Sequence, residues 1–350
     1  ISGTTLSVGD AGVGCTLSLS KDGDDNYLPA SATLNISVTR ASQAPVTITS
    51  GNHYTYRQSL TLSATGGSGS GAITFAATGD CSVSGGNLLS GGGAGSSCSV
   101  IATRAQSTNY NAESSASMTI TIDKADQTIS PVTVLGAPRA LGTVNLIANA
   151  DSNLTVDLTI DNGSTAICTI SGRIVSFLKA GDCVVNADQA GDTNFNAATQ
   201  LQTTLTAAHA SQTINLTNPG LKRYLDPNFY ITGSTSSSLG ITYSLGAGTT
   251  GYGQSSQVCA VSQQGEVQIG EVGTCQILAN QAGDDVYDPA TQVSLNITIA
   301  KALQTTLSLS SADTYVYGTT LQLMATGGDG NGAVTFVGGP SQQCSIDPAT

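Results

Sequence analysis

The sequence contains no tryptophan, only two histidines and two methionines, and just 10 % charged residues. Each scarcity excludes something. Helices draw on Leu, Glu, Lys and Arg, so a chain this poor in charge is a poor helix former. The histidines are His53 and His209. His209 stands where related stretches carry Lys or Arg, so neither histidine points to a catalytic triad or a metal site. Lys and Arg total 11 against 23 Asp and Glu, and the net charge of −12 argues against nucleic acid and anionic membrane surfaces as partners. No run is long and apolar enough to insert in a bilayer. Glycine runs such as 66–71 lack the Lys-Ser/Thr that a phosphate cradle needs. No constellation of an enzyme remains, and no catalytic or cofactor-binding residue is assigned.

What is abundant is glycine, 41 residues of it, with Ser, Thr and Asn at most polar positions. That composition suits short strands and tight turns. Apolar and polar residues alternate at Leu60, Leu62 and Ala64, at Met118, Ile120 and Ile122, and at Leu295, Ile297 and Ile299. Alternation puts one face of each strand inside and the other in water. The expected fold is all-β, a series of antiparallel β-sandwiches.

The series is visible as a repeat. "KDGDDNYLPA" at 21–30, "AQSTNYNAES" at 105–114, "AGDTNFNAAT" at 190–199 and "AGDDVYDPAT" at 282–291 are one loop four times over. Its aromatic residue, Tyr27, Tyr110, Phe195 or Tyr287, always lies twelve positions after a cysteine, Cys15, Cys98, Cys183 or Cys275. Thirteen or fourteen residues later comes a junction: "RASQ" at 40, "KADQ" at 124, "HASQ" at 209, "KALQ" at 301. The junctions lie 84, 85 and 92 residues apart, too long for a solenoid layer, so each unit is expected to be a small domain. The boundaries read as 1–39 (the second half of a repeat), 40–123, 124–208, 209–300 (the longest, with irregular loops) and 301–350 (a first half). Junctions without proline or glycine leave little slack, which predicts a semi-rigid rod of roughly 35 to 45 Å per repeat.

Eight cysteines occur at one pair per repeat, without the spacing or histidines that zinc needs. The expected disulfides are Cys81–Cys98, Cys168–Cys183 and Cys259–Cys275, leaving Cys15 and Cys344 without a partner inside this sequence. Regular pairing places the chain in an oxidising location, extracellular or at a cell surface.

The succession "CTISGRIVSFLKAGDCVVNADQAGDTNFNAAT" closed by "HASQTI" resembles the bacterial immunoglobulin-like repeats found in tandem in large secreted and surface-anchored proteins. The resemblance covers essentially the whole chain. It implies an extracellular stalk or filament of Ig-like sandwiches, adhesin-like or fibre-forming, whose partners are neighbouring repeats of the same or an identical chain. It implies no catalytic residues. The stretch 84–98, "SGGNLLSGGGAGSSC", departs from the pattern, standing where the other repeats have an ordinary strand and turn.

Three further expectations concern sites. Each loop aromatic is expected to plug the end of its own sandwich. The loop carboxylates (Asp22, Asp24, Asp25, Asp192, Asp284, Asp285 and Asp288) are read as solvated turn residues, with calcium the less favoured reading because the loop at 105–114 has no Asp. A glycan- or protein-binding role is the alternative to the stalk. Its best candidate is 209–300, where Tyr224, Phe229, Tyr230 and Tyr252 are expected to gather. The two terminal halves fit either a window cut from a longer chain or subunits that complete one another.

Overall fold

The computed structural model describes residues 5–251, 257–340 and 345–346. Tyr252 and Cys344 lie outside them. The chain divides into two compact units, one of Ile1–Pro138, Gly142–Phe177 and Gly181–Thr206, the other of Arg139–Leu141, Leu178–Ala180 and Ala207–Thr350. Regular structure among the described residues is short strands and one helical turn, Asn162–Ser164.

In segment 40–123, strands Ile73–Gly79, Ser97–Arg104, Glu113–Ser114, Met118–Asp123 and His53–Thr55 form one sheet. A second holds Leu60–Thr61, Leu88–Gly91 and Cys81–Ser84, and Val46–Ile48 pairs with Ala64–Gly66. Alternation is what makes this a sandwich. Ile120 and Ile122 are buried while Thr119 and Thr121 face water. They meet Val100 of their own sheet and Leu89 of the other in one core. Stretch 84–98 supplies the middle strand Leu88–Gly91. It is entered through Gly85 and Gly86, whose φ of 56° and 91° turn the chain in a conformation that suits glycine.

Segment 124–208 follows the same plan. Asp157–Ile160, Gly181–Asp188 and Leu201–Ala207 make one sheet, and Thr133–Leu135, Thr143–Ile147, Ile174–Phe177 and Cys168–Ser171 the other. In the second unit, Lys222–Arg223, Val293–Ala300, Gly273–Asn280, Thr242–Leu245 and Thr250–Gly251 form one sheet. Phe229–Tyr230, Glu266–Ile269 and Cys259–Val261 form its partner. The chain is thus all-β, built of mainly antiparallel sheets packed as sandwiches.

Each segment also contains parallel pairings, one of them against its closing strand. His53–Thr55 runs parallel to Met118–Asp123, Lys222–Arg223 runs parallel to Val293–Ala300, and Arg139 makes a parallel bridge to Ala208. A left-handed residue ends each of these pieces: Arg57 at φ 66°, Leu141 at 61° and Leu225 at 75°. The same position in the last segment is Gly318, at 84°.

Bonds join Cys81 to Cys98, Cys168 to Cys183 and Cys259 to Cys275, with Cα atoms 5.8, 5.9 and 5.8 Å apart. Each links one sheet to the other, because the chain crosses between sheets after the strand that follows the first cysteine. All six sulfurs belong to buried residues. Closing a loop of this length stabilises by about 3 kcal/mol through the unfolded chain.

The outer stretches are ribbons. Gly14–Lys21 pairs with Ala30–Ser37, and Ser308–Leu309 pairs with Ala325–Thr326. Cys15 is a free thiol on the first of them.

Candidate functional site

Among the described residues, one arrangement that recurs with the same atoms is where a junction meets the aromatic loop of its own segment. Loop and junction meet because the loop joins the last two strands at the pole where the chain enters the sandwich. The loop is first shaped from within. Asp192 Oδ1 accepts the N–H groups of Asn194 (2.7 Å) and Phe195 (2.8 Å), and Asp284 and Asp24 do the same for the residues before and at Tyr287 and Tyr27. Short carboxylates commonly fold the backbone this way. At 105–114 the position holds Ser107, whose N–H still donates to the Tyr110 carbonyl at 3.0 Å.

The junction then grips this loop at three points. Ala41, Ala125 and Ala210 form parallel bridges with Tyr110, Phe195 and Tyr287. Around Ala125, its N–H donates to Asn194 O at 2.9 Å and its carbonyl accepts from Asn196 N at 2.8 Å. Two positions on, a glutamine amide reaches the carbonyl just after the aromatic: Gln43 to Asn111 (2.6 Å), Gln127 to Asn196 (2.7 Å) and Gln212 to Asp288 (2.8 Å). These glutamines are only 7, 5 and 7 % exposed. Their burial requires that both ends of the amide be satisfied. Gln127 Oε1 accepts Ser152 Oγ at 2.5 Å, Gln212 Oε1 accepts Ser237 Oγ, and Gln43 Oε1 accepts Gly69 N at 3.1 Å. A second glutamine, six residues before the aromatic, completes two of the networks: Gln189 accepts from Gln127, and Gln281 accepts from Gln212. The basic residue is the third grip. Arg40 Nε donates to Ser107 O (3.1 Å) and Lys124 Nζ to Asp192 O (2.7 Å). His209 Nδ1 lies 3.8 Å from Asp288.

The far side of the loop meets the turn ahead of a second cysteine. Asn109 Oδ1 accepts Ala11 N and its Nδ2 donates to Asp10. Asn194 Oδ1 accepts Ala94 N at 2.9 Å. In the second unit, Ala180 N donates to Asp285 O, and Lys179 Nζ pairs with Asp285 Oδ2, both at 3.0 Å. The hydrogen bond and charge of Lys179 hold the Asp285 carboxyl below the ordinary aspartate range. Ala11, Ala94 and Lys179 each stand four residues before Cys15, Cys98 or Cys183.

The aromatic side chains do not share one environment. Phe195 is buried, edge-on to Tyr56 with ring centres 5.4 Å apart and the Arg57 guanidinium 4.8 Å from its centre. Tyr110 and Tyr287 are half-buried and Tyr27 is exposed. What the four loops have in common is backbone geometry, and Phe195 packs against the surface offered by Tyr56 rather than filling only its own core.

Of the aromatics expected to gather in 209–300, Phe229 and Tyr230 are adjacent in a strand and point to opposite faces. Phe229 packs on the core with Lys222 over its ring at 4.5 Å, and Tyr230 is exposed. Tyr224 borders a groove of about 440 Å³ with Gly270, Glu271, Val272 and Lys301. Among the described residues no group of three His, Cys, Asp or Glu is arranged to hold a metal ion. No helix there is long and apolar enough to cross a membrane.

The glutamines are the functional residues that repeat spacing alone did not single out. Their signal was present, since Gln43, Gln127, Gln212 and Gln304 hold one position in all four junctions.

No protein-family model and no curated protein matches the sequence. Among solved structures, surface layer protein SbsC (domains 1–6) is 11 % identical, with a TM-score of 0.28 over 89 % of this chain and 53 % of that chain. The chain therefore spans about half the length of that protein. The insect immune protein hemolin is 10 % identical, with a TM-score of 0.29 over 75 % of this chain and 73 % of its own. Drosophila N-cadherin is 12 % identical, with a TM-score of 0.23 over 73 % and 76 %. These overlaps are low, and the sandwich assignment rests on the chain's own sheets and cores.

Proposed function

We propose that the chain is a structural segment of an extracellular or cell-surface protein, a stalk or filament whose sandwiches 40–123, 124–208 and 209–300 set reach and stiffness. One observation carries this reading: the same loop grips its own junction and touches the turn ahead of a second cysteine in three places. A device repeated for geometry, with side chains free to vary, fits a spacer better than a recognition tip. The buried disulfides favour an oxidising compartment. Small-angle scattering of the full chain tests the reading. An elongated particle is expected, and a profile of a globular one would sink it. The alternative of a glycan- or protein-binding module is favoured by Tyr224 and Tyr230, both exposed on 209–300. Glycan-array binding lost in Tyr230→Ala would establish that alternative.

A further inference from the structure

We propose that the groove of about 320 Å³ bordered by Ser234, Ser238, Leu239, Gly240, Ile241 and Tyr243 is a binding subsite for one uncharged sugar ring. It uses neither Tyr224 nor Tyr230, and it goes beyond the stalk reading, which stands whether or not the chain binds sugar.

The groove can be compared with the other segments residue by residue. Tyr243 pairs with Ala279, as Phe75 pairs with Ala102 and Leu158 with Ala187. Each of these alanines stands four residues after a cysteine, Cys275, Cys98 or Cys183. Of the three residues at this register, Tyr243 alone brings a hydroxyl. At the turn before it, Ser238 and Asn153 are both left-handed, with φ of 65° and 66°, and the serine before each bonds a junction glutamine. In that register Gly240 takes the place of Thr155, and a Cβ at Gly240 would meet no atom within 4 Å. A side chain that 124–208 carries is thus missing on the border of the groove.

The Tyr243 hydroxyl is what points to a ligand. The residue is 8 % exposed, and its ring packs in the core with Val267 and Ile277. Tyr54, equally buried in 40–123, donates its hydroxyl to Gly91 O inside its own sandwich. No described protein group bonds the Tyr243 hydroxyl, yet it is not sealed from the surface, so its partner arrives through the groove. Burial pushes this phenol above the ordinary tyrosine value, which keeps it a neutral donor. Ser234 and Ser238 add two hydroxyls without a protein partner, whereas Thr235 Oγ1 is held by Leu239 O at 2.8 Å. Leu239 and Ile241 supply an apolar wall. Among the described residues bordering the groove none is charged, so a charge brought there would go unpaired. The ligand that fits is uncharged, with hydroxyls for the rim and C–H groups for the wall, which is the chemistry of a sugar. The volume lies at the small end of ligand sites and suits a single ring.

Saturation-transfer NMR of the full chain tests this with glucose, galactose, mannose and N-acetylglucosamine, each as the free sugar and as its methyl glycoside. Saturable binding of at least one is expected, with a Kd on the order of 1 mM. A free sugar and methyl glycoside that bind alike assign the groove to the end of a glycan, and binding of the free sugar alone assigns it to a soluble sugar. Tyr243→Phe is expected to weaken binding about tenfold by removing one hydroxyl, and Phe75 shows that the register accommodates the plain ring. Gly240→Thr introduces the residue that 124–208 carries, at an open position, and is expected to abolish binding. Thermal melts that match the parent's mark either loss as local to the groove. No saturation transfer to any of these sugars, or binding that either variant leaves unchanged, would overturn the proposal.

Discussion

The surroundings of Phe195 and of Asp285 are the same loop held by the same junction, yet their outward contacts rest on different forces. Phe195 is buried against Tyr56 under the Arg57 guanidinium. Asp285 meets Lys179 in an ion pair with both side chains partly in water. A ring removed from water contributes a few kcal/mol at any salt concentration, whereas an exposed ion pair contributes about 0 to 1 kcal/mol and fades as salt rises. Backbone geometry is held constant while the strength of the outward contact is left to one or two side chains.

The largest expected effect removes what the two regions share. Replacing both Cys168 and Cys183 by Ala should destabilise that sandwich by about 2 to 5 kcal/mol, and Cys259 with Cys275 should match it, as chemical denaturation would register. Unequal losses would mean that the bonds, and not only the outward contacts, differ between the regions. Next comes Phe195→Ala, expected to lose about 3 kcal/mol with little dependence on salt. A salt-sensitive loss would erase the contrast. Gln127→Leu and Gln212→Leu each leave a buried carbonyl without its donor, a loss of about 1 to 3 kcal/mol, equal in the two regions if the grip is common to both. Smallest is Lys179→Ala, a slight loss that vanishes in high salt. Its pH dependence has a fixed sign. Because the Asp285 pKa is lowered in the folded chain, its contribution is fully present above the ordinary aspartate value of about 3.9 and is lost as pH falls below it. Thermal melts of the parent and Lys179→Ala should therefore converge in acid, and a difference that grew in acid would break the assignment.

Much of this was legible in the sequence because it is periodic. Strands such as Met118–Asp123 announce their buried face by alternation, and the cysteine intervals mark one cross-link per segment. Local patterns do not report what covers a face. Leu17 stands two residues after Cys15, in register with Val100, Val185 and Ile277 after their cysteines, yet it is 45 % exposed where the others are fully buried. The role of Phe195 was hidden for a related reason. Its neighbour Tyr56 belongs to another sandwich, and no spacing in either stretch reveals the meeting. Gln127 was overlooked because polar residues are expected at the surface, and only the carbonyl, serine and glutamine around it explain its burial.

The parallel pairing of an early strand with the closing one, in 40–123 and in 209–300, has a mechanical meaning. Where His53–Thr55 lies beside Met118–Asp123, the chain arrives at the start of one strand and departs from the end of the other, both pointing the same way. Tension along the polypeptide therefore slides the two strands past each other, loading the rungs at His53, Tyr54 and Thr55 together instead of peeling them off one at a time. Lys222–Arg223 against Val293–Ala300 is loaded in the same direction with only two rungs. Under a steady pull, segment 209–300 should yield before 40–123.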